Sequence, residues 1–154
     1  MATTPNTDFT SGQILTAAQQ NNFPRGVMGY FISTANSAVT TTTADITGAT
    51  ATFTAVANRL YKATLAAYWN QSDAGATITF LLTDGSNSIL NQRIHFASNN
   101  NTKVQSTVTF LCTSTAGSSP RKIRAATSGG TATIFGATAD TQFYSFSIED
   151  MGPV

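Results

Sequence analysis

From Val27 to Glu149 the sequence alternates apolar and polar residues with a period of two, in short runs cut by turn residues. Side chains on a strand point to opposite faces in succession, so this period describes strands with one buried face and excludes a helical core. The longest such run is Arg59 to Trp69. Tyr61, Ala63, Leu65, Ala67 and Trp69 fall on one face, and Leu60, Lys62, Thr64, Ala66 and Tyr68 on the other. Further runs are expected at Val27–Ser33, Ala38–Thr43, Thr50–Val56, Thr77–Thr83, Ser88–Phe96, Val104–Cys112, Arg121–Ala125, Thr131–Gly136 and Gln142–Glu149. The Thr-rich run Ala38–Thr43 suits an edge or an exposed face. Asp84-Gly85-Ser86-Asn87 and Ser128-Gly129-Gly130 read as hairpin connections. Many short strands with turn chemistry between them imply an all-β fold, an antiparallel β-sandwich of jelly-roll type.

The first residues break this pattern. Thr16-Ala17-Ala18-Gln19 has the form of a capping box, in which Thr16 and Gln19 satisfy each other's backbone amides at a helix start. Asn21-Asn22 weakens the helix, and Pro24 pushes Phe23 out of the helical region. We therefore expect an N-terminal arm, residues 1–26, holding one helical turn, and a sandwich domain, residues 27–154. The arm offers Phe9, Ile14, Leu15, Thr16, Phe23, Pro24 and Arg25 as partner-binding residues.

Composition narrows function. Charged residues make up 10% of the 154, against about a quarter in ordinary proteins, and the net charge is +1. So few cations cannot neutralise a row of phosphates, and no apolar run reaches membrane-spanning length, so neither nucleic acid nor membrane is expected as a partner. A weakly charged surface suits a protein covered by partners. Tyr61, Tyr68 and Trp69 place large groups on both faces of one strand, and they are read as a possible oligomer interface. The N-terminus lacks the regions of a signal peptide.

Reactive groups are sparse. His95 is the one histidine, which excludes a multi-histidine metal site. No nucleophile elbow or phosphate loop is present. Cys112, the one cysteine, lies in an apolar run and is expected to act as a small hydrophobe. Glu149 and Asp150 point to opposite faces and are expected as solvated strand-end charges or interface partners for Arg. Asn91, Arg93 and His95 form a polar row expected to face solvent. Arg121-Lys122-Ile123-Arg124 reads as gatekeeping charge on an edge strand. No catalytic residue, metal or cofactor is assigned.

Three segments carry a resemblance. Phe9, Thr10, Gly12, Leu15, Thr16, Ala17, Ala18 and Asn21, followed by Pro24 and Gly26, match an opening found in structural proteins of tailed bacteriophages. Phe53 to Tyr61 is similar to the segment in which those proteins begin a long central strand with Arg-x-Tyr. Phe146 to Gly152 resembles their last strand. The resemblance implies a small β-sandwich virion component, without enzymatic activity or cofactor, assembled in the host cytoplasm. It would be a head decoration (cement) protein on the exterior of the head. Its partners would be further copies of itself, commonly as a homotrimer, and the major capsid protein. The alternative is a minor tail or fibre-head protein contacting tail proteins and a host-surface glycan.

Overall fold

The computed structural model describes residues 12, 14, 16, 17, 20, 23–96, 101–136 and 143–154. Within them lie ten strands: β1 (Gly26–Ile32), β2 (Ser37–Val39), β3 (Ala44–Ala55), β4 (Arg59–Gln71), β5 (Thr77–Asp84), β6 (Ile89–Phe96), β7 (Val104–Cys112), β8 (Gly117–Thr127), β9 (Ala132–Phe135) and β10 (Ser145–Pro153). All pairings are antiparallel.

One sheet is organised on β4. Along one edge, β10 lies opposite Arg59–Ala66 and β9 opposite Tyr68–Gln71, so the two occupy successive stretches of that edge. β7 takes the other edge, opposite Tyr61–Trp69. β1 pairs with β10, and β2 with β9. β1 with β2, and β9 with β10, thus act as two interrupted strands. The second sheet runs β3-β8-β5-β6. With the interrupted strands joined, the chain changes sheet at every connection except the β5–β6 hairpin. That route, through eight strand positions in two layers, is a jelly roll.

The core lies between the layers. β4 buries Tyr61, Ala63, Leu65, Ala67 and Trp69, while its other row stays half-buried on the outer face. The facing sheet supplies Phe53, Ile78, Phe80, Leu82, Ile123 and Ala125. Trp69 meets Phe80 edge-on with ring centroids 6.5 Å apart, and Phe53 packs on Tyr61 at 4.8 Å. The Trp69 indole N–H donates to Ser106 Oγ at 2.9 Å, so its one polar atom is satisfied within the core.

Several expectations change. The Ala38–Thr43 run contributes only a short edge strand, Ser37–Val39, and Thr50–Val56 is the end of a longer strand that begins at Ala44. β8 lies between β3 and β5, so its basic residues are not on an edge. Arg121 points inward with Ile123, while Lys122 and Arg124 point outward and meet Asp45 at 3.1 and 2.8 Å. Ser128-Gly129-Gly130 joins strands of different sheets and is not a hairpin. Tyr61 and Trp69 are fully enclosed by the protomer's own core. They are unavailable to a partner, because they fill the space between the sheets, and of the proposed interface trio only Tyr68 reaches the outer face.

Candidate functional site: the arm exit and the open edge

The described arm residues include a single helical turn, closed by a hydrogen bond from the Gln20 amide to the Thr16 carbonyl at 3.0 Å. The Phe23 amide then donates to the Gln20 carbonyl at 3.2 Å, which ends the turn. Gln19, the other half of the expected capping box, lies outside the described residues, as do Phe9 and Leu15. Ile14 is 89% exposed, and Thr16, Phe23, Pro24 and Arg25 are exposed as well.

The arm leaves the sandwich over a buried ion pair. Arg59 Nε donates to both carboxylate oxygens of Asp150, at 2.7 and 3.0 Å, and one guanidinium Nη donates to the Phe23 carbonyl. Asp150 also accepts from the Gly152 amide at 2.9 Å. Both side chains are almost wholly enclosed. Of the two expectations for Asp150, a solvated charge or an interface partner for Arg, it meets the second in part: it pairs with an Arg, but inside the protomer and not across an interface, whereas Glu149, one residue earlier, faces outward and pairs with Lys62 at 2.7 Å. Parity along the strands explains the difference. Arg59 shares a face with Tyr61 and Ala63, and Asp150 with Phe146 and Ile148, so both point inward. The same parity, read to the ends of the strands, was the sequence signal for this pair.

At the opposite margin, β6 and β7 are edge strands, one of each sheet, among the described residues. Here the expected orientation of β6 is inverted. The row Asn91, Arg93 and His95 turns toward β7. Asn91 donates to the Leu111 carbonyl at 3.5 Å, Arg93 lies over the Phe110 ring, and His95 Nδ1 sits 3.4 Å from Ser106 Oγ and edge-on to Phe80. This row bridges the sheets where there is too little depth for an apolar core. The apolar row is left outside, with Ile94 56% and Phe96 75% exposed.

His95 and Ser106 are the nearest approach to a reactive pair. Ser106 is 7% exposed and already accepts from Trp69, and burial lowers the His95 pKa from its usual 6.5. Among the described residues no carboxylate hydrogen-bonds to either, so the pair bridges the sheets and lacks the third member of a relay. Cys112 is a half-buried free thiol beside Leu60, Leu90, Leu111 and Thr113, which together line a cleft of about 350 Å³. A second, hydroxyl-rich cleft of about 380 Å³ lies between Asp84–Ser86 and the segment from Thr113 to Arg121. The buried Arg121 guanidinium at its wall donates to the Pro120 and Thr113 carbonyls.

No protein-family model matches the sequence, and no curated protein matches it. Among solved structures the chain is similar to Eiger TNF from S. frugiperda, with a TM-score of 0.53 at 9% identity, over 84% of this chain and 96% of that one. This likeness is one of fold, and it extends over nearly the whole of both chains. Slighter likenesses join 85% of this chain to 42% of a chain from infectious bursal disease virus Gt strain, at 12% identity and a TM-score of 0.37. Another covers 79% of this chain and 19% of the enzymatically active domain of bacteriophage CBA120 tailspike protein 4, at 10% identity and a TM-score of 0.35.

Proposed function

We propose that this chain is a non-enzymatic structural protein of a tailed-phage virion, a head decoration protein whose N-terminal arm docks on the major capsid protein. The observation that carries this reading is the contrast at the arm exit. The described arm residues offer exposed side chains, Ile14 above all, while the arm's base at Phe23 is held by a buried Arg59–Asp150 pair. An attachment device needs that combination: apolar anchors available to a partner and a fixed direction of departure. Repeated arms in an oligomer would add their contacts through effective concentration. Deletion of residues 1–22, which keeps the Phe23 carbonyl on Arg59, should leave a folded β protein that no longer binds phage heads. Full retention of head binding by the truncated chain would overturn the proposal.

A second reading is a minor tail or fibre-head protein that binds a host-surface glycan. It is favoured by the cleft between Asp84–Ser86 and Thr113–Arg121, which Ser86, Ser114, Thr115 and Ser118 line with hydroxyl groups suited to a sugar. Copy number separates the two readings, with hundreds per virion expected of a decoration protein and a handful of a tail protein.

A further inference from the structure

The open edge of the sandwich is apolar where a free surface would be polar. Ile89 is 59% exposed, Leu90 41%, Ile94 56% and Phe96 75% on β6, and Leu111 is 52% exposed on β7. Exposed edge strands are normally protected by charge, proline or a cover. Arg93 is the one Lys, Arg, Asp or Glu in either strand, and it lies across Phe110. A surface so devoid of charge has nothing to offer an acidic, basic or nucleic-acid partner.

Strand addition at this edge is obstructed in the middle. The Gln92 amide is taken by the Asn91 side chain at 2.9 Å, and the Gln92 carbonyl by Arg93 at 2.9 Å. An occupant must therefore dock through side chains. The two ends of β6 differ in shape. Phe96 projects at one end, and the cleft formed by Leu60, Leu90, Leu111, Cys112 and Thr113 opens at the other. Leu90 and Phe96 stand about 20 Å apart along the strand. The knob and the hole that would receive it belong to the same chain.

We infer that the β6–β7 edge is a self-association surface, in which Phe96 of one copy enters the Leu60–Leu90–Leu111–Cys112 cleft of a second copy. Head-to-tail contacts of this kind give a ring where the rotation between copies closes, and a reciprocal contact makes a two-fold pair. Either form covers the apolar row. The inference supplies the oligomer contact of the proposed virion protein at a place other than Tyr61 and Trp69, and it stands independently of the arm.

Cys112 makes the contact directly testable. In the full-length chain, Phe96→Cys should form a disulfide with Cys112 of another copy under mild oxidation, seen as covalent oligomers on a non-reducing gel. Phe96→Cys combined with Cys112→Ser should remain single chains. Sedimentation velocity of the wild type should show a dimer or a larger closed oligomer. Phe96→Lys, at a highly exposed position, should reduce it to a monomer with an unchanged circular dichroism spectrum, while Tyr30→Lys on β1, at the opposite margin of the sandwich, should leave it assembled. A monomeric wild type, cross-links that persist without Cys112, or a Phe96→Lys chain that remains oligomeric would each overturn the inference. The arm truncation separates this result from the docking proposal, since truncated chains should still associate.

Discussion

At the scale of single residues, His95 shows how position sets chemistry. Its ring lies between Phe80 and Ser106, and burial lowers its pKa from 6.5. The fold therefore favours the neutral ring. The unfolded chain takes up the proton at a higher pH than the folded one, so the stability His95 contributes is present above 6.5 and is lost as pH falls through the lowered value. Carboxylates titrate in the acid range as well, so the informative quantity is the difference between wild type and His95→Gln. The urea midpoint of the wild type should fall more than that of the variant between about pH 7.5 and about pH 5. Equal losses in the two proteins would show that His95 is not the group responsible.

At the scale of elements, β3 is shaped by one glycine. The pairing of β3 with β8 shifts between Asp45 and Thr50, and Gly48 within that interval has a φ of +72°. A Cβ there would stand 2.5 and 2.7 Å from atoms of the Phe31 ring. The kink is held from both sides. The Thr47 amide donates to Ser37 Oγ at 3.1 Å, and the Tyr144 hydroxyl donates to the Thr47 carbonyl. Ile46 and Ala49 remain buried across it. Gly48→Ala combines left-handed strain with a ring clash and should cost at least about 2 kcal/mol, measured by urea denaturation. β6 makes a different point about elements. Its alternation was legible, with Leu90, Gln92, Ile94 and Phe96 opposite Asn91, Arg93 and His95. Which row faces inward depends on what stands across from it, and at the sandwich margin that neighbour is the edge of β7.

At the scale of the whole molecule, the chain ends are secured by residues far apart in sequence. Arg59 and Asp150 are separated by 91 positions, and their contact joins the start of the central strand, the end of the last strand and the base of the arm. Removing one member of a buried ion pair leaves an uncompensated charge and typically costs about 3–5 kcal/mol. Asp150→Ala should lower stability by that order. Trp69, the only tryptophan and wholly buried between the sheets, reports unfolding by fluorescence. A loss below about 1 kcal/mol would mean that the pair adds little beyond the strands that carry it. An Arg partner for Asp150 was one of two expectations, and which Arg fills that place is supplied by tertiary structure alone.

The strands, most of their boundaries and the two rows of each were legible along the chain, because the period of two is a local property of an extended backbone. The Asp84–Asn87 turn was legible for the same reason, since Asp84 accepts from the amides of Ser86 and Ser88 within its own loop. The parity of Arg59 and Asp150 was equally present in the sequence, though their pairing was not. That Tyr61 and Trp69 fill the core, that β8 is central and that β6 turns its apolar row outward are outcomes of the folded arrangement. Those outcomes depend on which strands become neighbours, and alternation says how a strand divides its side chains, never what the other side of each face will meet.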